Sequence, residues 1–126
     1  MNVPTDRRYT DQHEWGILED DGLVRIGITD YAQDALGDVV FVDLPATGNH
    51  VEAGATVAEV ESTKSLAEIY APISGTVVRV NSALTSTPEL INQDPYGRGW
   101  FIVIEPDDPS EVEGMLDAEA YKALIA

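Results

Sequence analysis

Residues 57–70 read VAEVESTKSLAEIY, a short polar segment between two apolar ones. Two strands joined by a tight turn at residues 61–65 would hold Lys64 at the tip of a hairpin and project it outward. The turn contains no glycine, asparagine or proline, the residues that usually mark one. The apolar spacing is also partly compatible with a helix. From these residues alone, a strand pair and a helix both remain open.

The sequence around this segment alternates between short apolar runs and turn residues. Asp20-Asp21-Gly22 predicts a hairpin turn. Thr29 or Asp30 predicts the start of a short helix that ends at Gly37. The predicted strands lie at residues 15–19, 23–28, 39–44, 66–70, 76–80 and 100–104. Residues 51–60 contain a predicted turn at Gly54 followed by a further predicted strand.

The rest of the chain is predicted to be a loop and a helical C-terminus. Residues 81–95 predict a polar loop, and one or two helices follow from about residue 110. Short strands at this spacing are typical of a compact β sandwich or barrel. With 126 residues the chain suits one domain, 1–126.

The composition excludes several classes of function. There are 23 acidic against 7 basic residues, a formal net charge of −16, so we expect no nucleic-acid partner, because phosphates would be repelled. No apolar run is long enough for a membrane helix. The chain has no cysteine and begins without a secretory or basic presequence. We therefore expect a cytoplasmic protein of bacterial type, or a mitochondrial one only if a presequence has been removed.

Nothing in the sequence marks a catalytic or metal site. The two histidines, His13 and His50, stand apart and predict no zinc site. There is no G-x-S-x-G motif, no Walker A loop and no G-x-G-x-x-G motif. Acidic pairs are abundant and are typical of a solvated surface. These residues therefore predict no metal site and mark no catalytic one.

Lysine is scarce, which makes its positions informative. The only two are Lys64 and Lys122, and Lys122 lies in a sequence typical of a helix surface. A lysine that another enzyme acylates must be exposed and rigidly presented, and a hairpin tip provides both. The ordinary alternative for Lys64 is a solvated surface charge.

Several motifs, in one order along nearly the whole chain, resemble the H protein of the glycine cleavage system. They are Tyr9-Thr10 with His13-Glu14-Trp15, IGITDYAQ at 26–33, LGDVVFV at 36–42, VESTKS at 60–65, APISG at 71–75, ELIN at 89–92 and DPYG at 94–97. The segment around the lysine is only moderately specific alone, whereas the ordered set is highly specific.

The resemblance implies a mainly β, lipoyl-domain fold: a barrel-sandwich of two small antiparallel sheets, with short helices near residues 30–37 and at the C-terminus. It implies that Lys64 carries lipoate in amide linkage and that Glu61, Ser62, Thr63 and Ser65 present the lysine. Biotin carriers share this fold but usually flank their lysine with methionines. Thr63 and Ser65 therefore favour lipoate.

The implied function is to shuttle the aminomethyl intermediate of glycine decarboxylation. The implied partners are glycine decarboxylase (P protein), aminomethyltransferase (T protein), dihydrolipoyl dehydrogenase (L protein) and a lipoyl-attaching enzyme. Glu14 and Glu68 are implied to line a cleft for the loaded arm, although many relatives carry Asp at the second position. We expect a monomer, since a shuttle must meet three enzymes.

Two other functions fit the same residues. A stand-alone lipoyl carrier would relay lipoyl groups to other complexes or serve sulfur oxidation, with an unchanged fold. An inert β-rich interaction protein would never be acylated. Substitution of Lys64 by Arg separates the inert protein from both carriers, because arginine is not acylated by this route.

Overall fold

A computed structural model describes residues 1–126 as nine strands and several short helices. The predicted mainly β architecture is confirmed. The last strand lies about two residues later than its predicted position. The strands are β1 (Arg8–Tyr9), β2 (Glu14–Leu18), β3 (Val24–Ile28), β4 (Val39–Asp43), β5 (His50–Val51), β6 (Thr56–Ser62), β7 (Leu66–Tyr70), β8 (Gly75–Val80) and β9 (Ile102–Pro106).

The strands form two antiparallel sheets. The larger has six strands in the order β1-β2-β3-β9-β8-β5, and the smaller has three in the order β4-β6-β7. The predicted turn at Asp20–Gly22 joins β2 to β3, and Gly22 adopts a φ of 83°, which glycine tolerates without steric cost. Residues 57–70 lie in the β6–β7 hairpin, so the strand interpretation of this segment is correct and the helical one is not.

The inner faces of the two sheets enclose the main core, a cluster of 19 buried residues. Val42 and Val60 contribute from the smaller sheet, and Ile26, Ile102 and Ile104 from the larger. Burial of a side chain of this size contributes about 1.5–3 kcal/mol. This packing fixes the three-stranded sheet, and the hairpin at its edge, relative to the rest of the molecule.

A short helix, α1 (Asp30–Leu36), connects β3 to β4. The hydroxyl of Thr29 accepts a hydrogen bond from the backbone N–H of Ala32 at 3.1 Å and so caps the helix. At the other end Gly37 terminates it, and its N–H donates to the carbonyl of Gln33 at 3.1 Å. Both predicted ends of this helix are confirmed.

The prediction of a polar loop over residues 81–95 is wrong. The segment contains two single-turn helices, α2 (Ala83–Ser86) and α3 (Leu90–Gln93), and it buries Leu84, Leu90 and Ile91. One helical turn is too short to show a helical period in the sequence. Such a turn is stable because its apolar residues are buried by the rest of the fold, not because of local propensity.

The C-terminal region is helical, as predicted. A 3-10 helix spans Pro109–Gly114, and α4 spans Ala118–Ile125. The carboxylate of Asp117 accepts from the N–H of Ala120 at 2.9 Å and caps α4. None of the helices is both long and apolar enough to cross a membrane.

Helix α4 completes a second, smaller core next to β1 and β2. Tyr9 and Tyr121 stack with ring centroids 4.7 Å apart. Trp15 is fully buried, and its indole N–H donates to the carbonyl of Ile28 at 3.0 Å. Trp100 is half-buried beside this cluster. Both tryptophans are therefore packing residues.

Candidate functional site

Lys64 lies in the tight turn that connects β6 to β7, and it is exposed. Glu61 and Leu66 form the last cross-strand pair before the turn. The second lysine, Lys122, lies on α4 with its amine 4.0 Å from the carboxylate of Glu119. Lys64 is therefore the lysine that the fold presents at a hairpin tip.

The side chain of Ser62 organises this turn. Its buried hydroxyl oxygen accepts from the N–H groups of Lys64 at 3.2 Å and of Ser65 at 3.1 Å. The N–H of Ser62 donates to the carbonyl of Ser65 at 2.8 Å. A serine hydroxyl that bonds the backbone two and three residues later replaces the glycine or asparagine usual at such turns. The family resemblance implies that Ser62 helps to present the lysine, but it does not reveal this cause.

The turn is also bonded to the linker between α1 and β4. The N–H of Thr63 donates to the carbonyl of Asp38 at 3.0 Å. Thr63 and Ser65 are exposed, and Ser65 takes part through its backbone. Glu61 has an exposed side chain on the outer face of the smaller sheet. The residues on either side of Lys64 thus have fixed backbone positions.

The side chain of Lys64 lies across Gly37. A Cβ built on Gly37 would be 2.9 Å from Cε of Lys64 and 3.7 Å from its Nζ. The sequence predicts Gly37 only as the end of α1. No local signal relates it to a lysine 27 positions later, because the contact depends on how the two sheets meet.

Glu14 is buried at the start of β2, with 2% of its surface exposed. Its Oε1 accepts from the hydroxyl of Thr10 at 2.6 Å and its Oε2 from the N–H of Tyr70 at 3.3 Å. Burial raises the pKa of Glu14 to about 7, although these two hydrogen bonds oppose the rise. The carboxyl group is therefore able to change charge near neutral pH.

His13 lies beside Glu14 in a strained backbone conformation, with a φ of 70°. Its Nδ1 is 2.8 Å from the hydroxyl of Tyr121, which is also 2.8 Å from the hydroxyl of Thr29. Burial lowers the pKa of His13. A histidine with positive φ is uncommon and persists only where its surroundings hold it. Here Tyr121 of α4 contacts His13 and so fixes the position of the residue next to Glu14.

Glu68 is exposed and does not contact Glu14 directly. Its Oε2 accepts from the hydroxyl of Tyr70 at 3.3 Å, whereas Glu14 accepts from the N–H of the same tyrosine. Tyr70, the last residue of β7, therefore contacts both carboxylates, whereas Glu68 itself is the central residue of that strand. At about 3.3 Å per residue, Tyr70 lies roughly 13 Å along the strand from Leu66. The three cavities of the structure are not lined by Glu14, Glu68 or Lys64.

Exposed apolar residues flank the hairpin tip. Phe41 and Leu66 both pair with Glu61 across the smaller sheet, one from each side, and are 56% and 63% exposed. Val40 next to them is 48% exposed. The carboxylates of Asp43, Glu59 and Glu68 form another cross-strand row of the same sheet. Apolar residues thus lie closest to the lysine, with acidic residues beyond them.

A two-sheet β fold that presents one exposed lysine at a hairpin tip has the arrangement expected of a carrier domain. The comparisons with known proteins give the family. A family model described as "Glycine cleavage H-protein" matches residues 7–126. The chain is similar to a crystal structure of a glycine cleavage system H protein from Mycobacterium marinum, with a TM-score of 0.88 and 44% identity over 96% of this chain and 97% of that one.

Curated relatives agree with this match over nearly the full length. The chain is 54% identical to the glycine cleavage system H protein of Thermus thermophilus over 125 residues, which cover 99% of this chain and 97% of the relative. It is 54% identical to the H protein of Geobacillus kaustophilus, covering 99% and 98%. The chain belongs to the glycine cleavage H-protein family. It is the lipoyl carrier of the glycine cleavage system, a carrier component and not a catalytic enzyme.

Proposed function

We propose that Lys64 is the residue that carries lipoate, as an amide of its Nζ. The observation that carries the proposal is the exposed position of Lys64 in a turn whose backbone is fixed by Ser62 and Asp38. An acylating enzyme needs an amine that it can reach without unfolding the substrate protein. Lys122 offers no comparable presentation, since it lies within the regular surface of α4.

The residues around Lys64 fit a lipoyl group. The amine lies beyond four methylenes, and its neighbours Thr63 and Ser65 are small, polar and exposed. Once bound, lipoate supplies a disulfide and dithiol pair that accepts and releases the aminomethyl group. The protein supplies the tether, which keeps the group at a high effective concentration near each enzyme that docks.

We further propose that the partners are the P, T and L proteins and a lipoyl-attaching enzyme. The apolar surface formed by Val40, Phe41 and Leu66 surrounds the attachment point, so an enzyme that takes the lysine or its arm contacts it. The buried core of an interface is more apolar than the rest of the protein surface and is enriched in aromatic side chains such as that of Phe41. The acidic row of Asp43, Glu59 and Glu68 favours partner surfaces with basic residues around their active-site entrances. Monomeric state and cytoplasmic location stay predictions.

Glu14 and Glu68 are proposed to bind the cationic end of the loaded arm. An ammonium group near Glu14 would favour the ionised carboxylate and return its pKa toward the ordinary value. Glu14 supports this role better than Glu68, because a buried charge interacts more strongly than an exposed one. Tyr70 contacts both carboxylates, Glu14 through its backbone N–H and Glu68 through its hydroxyl.

Intact-mass measurement with peptide mapping tests the attachment site. Wild-type protein treated with a lipoyl-attaching enzyme should gain one lipoyl group on the peptide that contains Lys64. Its formal charge should change from −16 to −17, because an ammonium becomes a neutral amide. Lys64→Arg should gain nothing and Lys122→Arg should behave as wild type. Modification of the Lys64→Arg protein would refute the assignment.

A further inference from the structure

Asn92 makes three hydrogen bonds with its side-chain amide, and two of them bind the backbone where α1 connects to β4. Its Nδ2 donates to the carbonyl of Gly37 at 2.8 Å, and its Oδ1 accepts from the N–H of Val39 at 2.9 Å. The third bond is from Nδ2 to Oε1 of Gln33 at 3.1 Å. One amide thus binds the backbone on both sides of Asp38.

Asp38 is the linker residue to which the lysine turn is bonded. Its carbonyl accepts from the N–H of Thr63, the residue immediately before Lys64. Gly37, held by the same amide, is the residue over which the side chain of Lys64 lies. Thr63 and the side chain of Lys64 therefore both contact the linker whose backbone is hydrogen-bonded to Asn92.

Asn92 itself has a rigid support. It lies on α3, whose Leu90 and Ile91 are buried in the main core. A continuous set of contacts therefore runs from the core, through α3 and the Asn92 amide, to the linker and the lysine turn. The motif ELIN at residues 89–92 is explained by this path, which reaches Lys64 through the linker.

We propose that Asn92 is a positioning residue for the acylation of Lys64. This inference rests on the proposed attachment site. Asn92 keeps the linker, and through it the turn, in the one arrangement that an acylating enzyme accepts. Without the amide, the linker loses both backbone contacts and the turn samples other arrangements. The enzyme then finds a smaller fraction of competent substrate, so the KM for the carrier rises while kcat stays unchanged.

The test compares Asn92→Ala with a matched control, Asn81→Ala. Asn81 is also an asparagine that holds loop carbonyls, since its Nδ2 donates to Arg98 at 2.8 Å and to Trp100 at 2.7 Å. Its bonds reach the 98–100 loop and not the linker. Acylation by a purified lipoate–protein ligase, with lipoate and ATP, is followed over a range of carrier concentrations. Thermal unfolding and the hydrogen exchange of the Thr63 N–H are measured on the same unmodified proteins.

Asn92→Ala should raise the KM for the carrier about five- to tenfold with kcat unchanged, as expected if the competent fraction falls to about one fifth to one tenth. It should also accelerate exchange of the Thr63 N–H at least about tenfold, because the hydrogen bond to Asp38 opens more often. Asn81→Ala should leave the KM and the Thr63 exchange rate within about twofold of wild type. This should hold even if its unfolding midpoint falls as much as that of Asn92→Ala. Asn92→Asp keeps an acceptor for Val39 but loses the donor to Gly37, so its KM should be intermediate.

Equal effects of Asn92→Ala and Asn81→Ala on KM and on Thr63 exchange would overturn the inference, because Asn92 would then contribute only to general stability. A wild-type chain that accepts no lipoate on Lys64 would instead refute the proposed function. Normal acylation of Asn92→Ala with unchanged Thr63 exchange would refute the role of Asn92 alone.

Discussion

The side chain of Lys64 lies across Gly37, with its Cε 2.9 Å from the position that a Cβ on Gly37 would occupy. Gly37 has a φ of 79° and a ψ of −159°. This backbone region is essentially restricted to glycine. Gly37 therefore both ends α1 and leaves open the surface on which the lysine rests.

Gly37→Ala should lower the free energy of unfolding by about 1–3 kcal/mol, because alanine is strained in this backbone conformation. The lysine should add little to the loss, since its flexible end can move away. Urea unfolding measures the change. Nuclear Overhauser contacts between residue 37 and the Lys64 side chain should disappear in the variant.

Gly54→Ala is the matched control for this prediction. Gly54 also has a positive φ, 87°, but no atom lies within 4 Å of the position that a Cβ on it would occupy. Gly54→Ala should lower the free energy of unfolding through backbone strain alone, because the added methyl group meets no neighbouring atom. A loss at Gly37 that exceeds the loss at Gly54 by several kcal/mol would mean that Lys64 is held rigidly and cannot yield.

The raised pKa of Glu14 predicts a pH dependence of stability. Its folded-state pKa is about 7 against an ordinary value of 4.5. Between these values the unfolded chain is ionised at this position while the folded chain retains the proton, so stability falls as pH rises. The total fall is about 3 kcal/mol, at 1.36 kcal/mol per pKa unit.

Urea unfolding of wild type and Glu14→Gln at pH 5 and at pH 8 measures this contribution. The wild type should lose about 2–3 kcal/mol more than the variant between the two pH values, because glutamine does not titrate and part of the total fall already lies below pH 5. All other groups titrate alike in both proteins and cancel in the comparison. Identical changes in the two proteins would show that the Glu14 carboxyl is not desolvated in solution.

The same carboxylate should slow release of the aminomethyl group from the loaded carrier. Glu14→Gln should still be acylated on Lys64, but its loaded form should release the group about tenfold or more faster, because a hydrogen bond to a charged partner is lost. Glu68→Gln should change the rate less than about fivefold, since Glu68 is exposed. The rate at which each isolated loaded protein releases formaldehyde and ammonia measures the loss of its aminomethyl group. Equal rates for Glu14→Gln and wild type would remove Glu14 from the proposed binding site of the loaded arm.

The strand pattern and the capping of α1 were predictable, because each depends on neighbouring residues. Val24, Ile26 and Ile28 alternate with less apolar positions, and Thr29 with Gly37 marks the two helix ends. The alternation predicts which face of β3 is buried without any knowledge of the partner sheet.

The contacts that position the lysine were not predictable in the same way. The turn depends on the Ser62 hydroxyl, and the linker depends on the Asn92 amide from a helix more than fifty positions away. A side-chain amide bonded to a distant backbone leaves no periodic signal. The single turns α2 and α3 were missed for the related reason that tertiary burial, not local pattern, stabilises them.

Gly75, the last residue of the APISG motif, is the first residue of β8 and has no positive φ. A Cβ there would meet the carbonyl of Glu105 and the Cγ2 of Ile104 in closer than normal contact. Gly75→Ala should therefore lower the free energy of unfolding by about 1–3 kcal/mol or more, because backbone atoms must move. Gly114→Ala, with no atom near its Cβ, should stay within about 0.5 kcal/mol of wild type. Equal stability of the two variants would show that the β8–β9 pair adjusts without strain.

The exposed apolar residues beside the lysine should matter more for partner binding than for folding. Phe41→Ser and Leu66→Ser remove side chains that are 56% and 63% exposed, so each should lower the free energy of unfolding by no more than about 2 kcal/mol. Each should raise the KM of the lipoyl-attaching enzyme or of the decarboxylase for this carrier by about fivefold or more, the effect of losing about 1 kcal/mol at an interface. Leu124→Ser, at a leucine on α4 that is 49% exposed, is the control: it should lower the free energy of unfolding by a similar amount and leave the KM unchanged. If Leu124→Ser raised the KM as much as Leu66→Ser, the docking surface would not be centred on the lysine hairpin, and partners would approach the carrier from the side of α4.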